Sequence, residues 1–191
     1  MRFKTIFALG LVTVVFWGCA SMPEPTPGKD TLVTCQPNFV GADMPWQTLN
    51  GSHTSGITVT LTNRDSKQVY TKAVDPSGIA NFVGLPEGHY WLSRLAIKLV
   101  DSRMNFTFVT NWGTHLHSFE VVAGKVNNLG QIVWKLAYTG NSYGKSGGGT
   151  NISTSASMIP GGGYEDSQAY FKKSYPKTAW NDSEWVNTAF K

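Results

Sequence analysis

His115 and His117 stand two residues apart, a spacing that in an extended strand sends both imidazoles to one face, where two neutral nitrogens could ligate a metal ion. No acidic or Cys residue lies at a telling distance from them, and His53 and His89 are the remaining histidines, so neither a metal nor a cofactor is expected. No Ser-His-Asp or paired-carboxylate arrangement is legible either, because Asp43, Asp65, Asp75 and Asp101 read as turn residues. The chain is therefore not expected to be an enzyme. Trp46, Trp91 and Trp112 could instead act as aromatic platforms that stack on sugar rings or anchor a protein contact. Cys19 closes a basic start, Met1-Arg2-Phe3-Lys4, and a mostly apolar run from Thr5 to Phe16. That run is short for a bilayer span and reads as an export signal.

The residues Phe16-Trp17-Gly18-Cys19-Ala20-Ser21 resemble the bacterial lipoprotein family, in which a small residue precedes a cysteine that is lipidated and becomes the mature amino terminus. The family prefers Leu, Val or Ile at the third place before the cysteine and a small residue at the second, where this chain has Phe16 and Trp17. Gly18 and Ala20 also suit ordinary signal cleavage, which would discard Cys19. The resemblance implies acylation of Cys19 and a membrane anchor without a transmembrane helix, since several acyl chains hold where one binds marginally. Without an acidic residue at Ala20 or Ser21, it implies a bacterial cell-envelope location at the outer membrane rather than the inner.

Removing residues 1–18 takes Arg2 and Lys4 from the 16 basic residues, leaving 14 against 12 acidic and a formal charge of +2. No dense Lys/Arg stripe is present, which argues against a nucleic-acid partner. With Cys19 acylated, Cys35 is the one remaining thiol; it reads as a small core residue in an apolar strand.

Composition divides the rest of the chain. Residues 19–30 hold Pro23, Pro25 and Pro27 and read as an extended tether. Residues 31–139 are the size of one domain. Residues 140–163 contain eight glycines among many Ser and Thr, which reads as a linker or loop. Residues 164–191 regain aromatic and apolar character.

Within 31–139 the dominant period is two. Ile57, Val59 and Leu61 alternate with Thr58, Thr60 and Thr62, and further extended stretches are expected at Val69 to Val74, Ile79 to Val83, His89 to Lys98, Met104 to Thr110, Ser118 to Val122 and Val126 to Leu136. Asp75-Pro76-Ser77-Gly78, Leu85-Pro86-Glu87-Gly88 and Gly124-Lys125 supply the turns. The expectation is a mainly β fold, an antiparallel sandwich of about seven to eight strands.

Val59-Thr60-Leu61, Asn81-Phe82 and Leu85-Pro86-Glu87-Gly88-His89-Tyr90-Trp91-Leu92 resemble the transthyretin-like (prealbumin-like) sandwiches of the carboxypeptidase regulatory-like and Cna-B type. Phe119 to Lys125 followed by Leu129-Gly130-Gln131-Ile132 is similar to their closing hairpin, so the resemblance covers roughly Leu32 to Leu136. It implies a spacer, stalk or binding module, with Phe82, Leu85, Tyr90 and Leu92 in the core. Hydroxyisourate hydrolases share this fold and end in Tyr-Arg-Gly-Ser. Tyr138-Thr139-Gly140-Asn141 lacks the arginine and is not terminal, so that activity is rejected.

Trp91 takes the parity opposite to Tyr90 and Leu92, which makes it either an exposed platform or a surface covered by the carboxyl-terminal segment. That segment predicts two short helices, one over Asp166 to Ser174 ending before Pro176 and one after a capping box at Asn181-Asp182-Ser183-Glu184. Trp185, Val186, Ala189 and Phe190 follow at helical spacing. Such short helices must dock, on this domain or on a partner. The combined expectation is a lipid-anchored envelope protein that binds or scaffolds envelope proteins, the alternative being a carbohydrate- or peptidoglycan-binding module for cell-wall glycan.

Overall fold

The computed structural model describes residues 22–26, 30–42, 52–53, 56–100, 105–111, 117–143, 150–159 and 163–191. Eleven strands among them are β1 Leu32–Ala42, β2 Ser52–His53, β3 Ile57–Asn63, β4 Val69–Ala73, β5 Ala80–Val83, β6 Gly88–Val100, β7 Asn105–Asn111, β8 Ser118–Val121, β9 Val126–Tyr143, β10 Thr150–Ile159 and β11 Trp185–Asn187. One α-helix, α1 Tyr164–Ser174, and a 3-10 turn, Ala179–Asp182, precede β11.

The strands form two sheets, consistent with a β-sandwich. In the first, β4, β3, β6 and β7 follow in order, with β8 also on β6, and every pairing is antiparallel. The second is mixed. Its centre is a parallel pair, β1 and β9, running from Leu32 opposite Val126 to Ala42 opposite Ala137. This corrects the expectation of an antiparallel sandwich. The connection that makes the parallel pair possible is the whole other sheet, which lies between β1 and β9 in the chain.

Each long central strand carries two further strands on a single edge. β5 and β2 share the outer edge of β1 at Leu32–Cys35 and Phe39–Val40. β11 and β10 likewise share the outer edge of β9, β11 at Val126–Asn128 and β10 at Val133–Tyr143. Most backbone donors and acceptors along these central strands are thereby paired on both sides.

Alternation explains the core. Val33, Ile57, Val59, Leu61, Tyr90 and Leu92 are buried between the sheets together with Phe82 and Leu85, as their period-two placement requires. Gly78 closes the Asp75 turn at φ 84°, donating its N–H to the Asp75 carbonyl at 2.9 Å. Gly130, at φ 70°, sits where the β1–β9 register shifts between Thr34 and Gln36, so the bulge uses the residue that tolerates that backbone.

Two expectations for the end of the chain are corrected. Residues 140–163 are not simply a linker or loop: β9 continues to Tyr143, and Thr150–Ile159 pairs antiparallel with it. Backbone pairing onto a preformed neighbour does not need apolar side chains, and Ser and Thr suit an extended strand well enough once that neighbour is present. The second helix after residue 181 is also absent, because Trp185–Asn187 is a strand parallel to β9. Glu184 does not turn back to cap a helix. Its carboxylate meets Lys125 Nζ, and the carbonyl of Glu184 accepts from Val126 N at 2.9 Å.

Candidate functional site

Leu32 has the opposite parity to Val33, so it leaves the inter-sheet core and faces outward from the mixed sheet. There it forms a second buried cluster with Ile79, Val126, Phe171 and Trp180. Helix α1 supplies Phe171, with Ser167 one turn earlier on the same face. Glu165 and Asp166 in its first turn and Lys172 and Lys173 in its last complement the helix dipole. The helix ends as expected before Pro176, with Tyr175 N donating to Phe171 O at 2.9 Å. The carboxyl-terminal segment therefore docks on its own domain.

A polar cluster fixes this docking. One Asp75 carboxylate oxygen accepts from the backbone N–H groups of Ser77 and Ile79, at 2.9 and 3.1 Å, and from the Ser77 hydroxyl. Tyr175 OH lies 3.1 Å from Ser77 Oγ and accepts from Asn81 Nδ2 at 3.0 Å. Tyr170 OH donates to the Ser77 carbonyl at 2.7 Å. An Asp–Ser pair in such contact could suggest an activated hydroxyl, but no imidazole belongs to these contacts. The carboxylate works as the acceptor of a tight turn. The cluster was missed in the sequence because Asp75 and Tyr175 are 100 positions apart. The Asp75-x-Ser77 spacing was the available local signal.

The amino-terminal arm completes the assembly. Met22 packs on the outer cluster, and the Pro23 carbonyl accepts from Trp180 Nε1 at 2.8 Å. Glu24 Oε2 accepts from Ala179 N at 2.8 Å and from Thr178 Oγ1 at 3.3 Å. Met22, Pro23 and Glu24 are thus held by the domain, whereas an extended tether was expected over residues 19–30.

The other candidates separate. Trp91 is 5% exposed and lies under the Lys67 ammonium, 5.4 Å from the ring centroid, so it offers no open platform. The carboxyl-terminal segment packs mainly against the outer face of the mixed sheet, while its last residues reach β8 of the antiparallel sheet, where Phe190 meets Phe119 and Lys191 N donates to the Ser118 carbonyl at 2.7 Å. Trp46, Trp112, His115 and Cys19 lie outside the described residues. His117 occupies a left-handed backbone conformation at φ 62°, and its ring meets Phe190 edge-on at 6.1 Å. Burial holds its pKa below the usual 6.5, a preference for the neutral form. Among the described residues no group of three or more His, Cys, Asp and Glu could hold a metal ion. Cys35 is fully buried, and burial pushes its thiol up to about 12. Its Sγ lies 4.0 Å from the Ala80 carbonyl, the contact of a packed core thiol. No helix among the described residues is long and apolar enough to cross a membrane.

No protein-family profile matches the chain, and no curated protein matches it. Among solved structures it is similar to a leucine-rich repeat protein from Bacteroides thetaiotaomicron, at 14% identity over 54% of this chain and 13% of that one. The TM-score of 0.32 is too low to carry a structural or functional argument.

Proposed function

We propose that this protein is a lipid-anchored β-sandwich of the bacterial cell envelope that works by binding or scaffolding, not by catalysis. The observation that carries the non-catalytic part is the use made of Asp75, Ser77, Asn81 and Tyr175. These polar groups join the carboxyl-terminal segment to the sandwich. The anchor rests on the export signal that ends at Cys19, with an outer-membrane address as the preferred one. The transthyretin-like type of the sandwich rests on the Leu85 to Leu92 motif, whose Leu85, Tyr90 and Leu92 are buried between the sheets.

The glycan-binding alternative is weakened by the burial of Trp91 and now depends on Trp46 and Trp112. Two measurements test the proposal. Palmitate should label the wild-type chain in envelopes and be absent from Cys19→Ser, which should also leave the membrane fraction; unchanged fractionation without label would remove the anchor. Cross-linking with mass spectrometry on intact envelopes should then report envelope proteins or cell-wall glycan as neighbours, whereas cytoplasmic neighbours alone would sink the envelope role.

A further inference from the structure

The docked arm sets how far the domain can stand from a lipid on Cys19. Met22 already packs against the Phe171 and Trp180 cluster, and Pro23 and Glu24 are hydrogen-bonded to residues 178–180. Only three residue steps separate Cys19 from Met22, a span of at most about 10 Å when fully extended. The polar headgroup layer of one leaflet alone is roughly 5–8 Å thick. The domain must then rest with its Met22 side against the bilayer surface.

Exposed cationic groups neighbour these contacts in the chain. Lys172 and Lys173 follow Phe171 in the last turn of α1, and Lys177 precedes Thr178, the residue bonded to Glu24. All three lysines are exposed. The acidic side chains nearest in sequence to these contacts are Glu24 and Asp182, and the Glu24 carboxylate is engaged with Thr178 and Ala179. Ammonium groups held this close to a membrane lie within about one Debye length, roughly 10 Å, of its headgroups, where their attraction to anionic lipid is little screened.

We propose that Lys172, Lys173 and Lys177 form a lipid-facing patch that binds anionic headgroups, so that the anchored domain lies on the membrane in one orientation and presents its antiparallel sheet away from it. The proposal rests on acylation of Cys19. It assigns the Pro-rich segment the opposite role to a spacer, that of a short clamp.

The test uses the full-length protein purified from membranes and reconstituted in vesicles of phosphatidylethanolamine with phosphatidylglycerol and a headgroup-bound quencher. A thiol-reactive fluorophore is placed by Lys177→Cys or, on the exposed side of the other sheet, by Arg94→Cys; buried Cys35 does not compete. Quenching should be severalfold greater at position 177 than at 94. Adding Lys172→Glu and Lys173→Glu should shrink that difference. Equal quenching at the two positions in protein whose intact mass includes the lipid would overturn the orientation, and a difference untouched by the charge reversals would overturn headgroup binding. A mass without lipid would instead count against the anchoring itself.

Discussion

The indole of Trp180 donates to the carbonyl of Pro23 at 2.8 Å, joining residues 157 positions apart in sequence. Trp180 is itself 1% exposed, and it packs with Leu32 and Val126 at the start of the two central strands of the mixed sheet. One side chain therefore ties together the amino-terminal arm, the carboxyl-terminal segment and the parallel strand pair. Trp180→Phe should lower stability by about 1–3 kcal/mol, since it removes a hydrogen bond and leaves the Pro23 carbonyl without that partner. Trp180→Ala should cost about 3–5 kcal/mol by opening a cavity. Urea unfolding followed by circular dichroism separates the two; equal, small losses would show that the arm is not held through this residue.

The Tyr175 hydroxyl is the second tie. Tyr175→Phe should destabilise by about 1–3 kcal/mol, because Asn81 Nδ2 and Ser77 Oγ both lose their contact in a partly buried place. A double-mutant cycle with Asn81→Ala checks whether the loss is shared: the pair should cost less than the sum of the single changes. Strict additivity would mean that the two side chains act independently.

Truncation after Ser183 probes the strand that replaced the expected helix. It removes the Val126–Glu184 backbone bond, the Trp185 packing on Phe171 and the Phe190 ring against Phe119, whose centroids are 5.6 Å apart. Trp185 and Phe190 are partly buried, so losing each costs less than the about 3–5 kcal/mol of a fully buried aromatic, and the bared edge of β9 invites association with other chains. The truncated chain should melt at lower temperature and elute as larger species on gel filtration. A monomer with unchanged melting would show that β11 is dispensable.

Cys35 reports on global opening. Its thiol is fully buried and its pKa is raised to about 12, so in the folded protein it should resist a disulfide reagent at pH 8 and react promptly in denaturant. Rapid labelling of the native chain would contradict the closed core around Val33 and Ala80.

Protonation of His117 opposes folding. Its folded pKa lies below 6.5 because burial disfavours the charged ring, so the unfolded chain binds the proton more readily. Its contribution is complete above pH 6.5 and declines as the pH falls below that value toward the folded pKa. Thermal melts between pH 8 and pH 5, roughly, should show a drop that is smaller in His117→Gln. Identical pH profiles would remove His117 as a source of acid sensitivity.

Local signals in the chain made much of the sandwich legible. The Ile57–Asn63, Val69–Ala73, Ala80–Val83 and Ser118–Val121 strands lie where alternation and turn residues predicted them, since strand period and turn chemistry act over a few residues. The burial of Phe82, Leu85, Tyr90 and Leu92 followed from the same parity. The candidate site was much less legible. Trp91 has the outward parity expected of a platform, yet it is closed off beneath Lys67, a residue in the neighbouring hairpin whose position no local pattern encodes.

Local pattern was enough to show where much of the chain is extended and where it turns at Gly78 and Gly88, because each depends on neighbours a few residues apart. Tertiary structure decided the parallel pairing of Leu32–Ala42 with β9, the strand within the Ser/Thr-rich Thr150–Ile159, and the extended rather than helical course of Trp185–Asn187. It also decided that the Pro-rich arm lies on Trp180 instead of standing free. In each case partners distant in the sequence supply the backbone hydrogen bonds or the buried surface, and their contribution outweighs what local propensity favours.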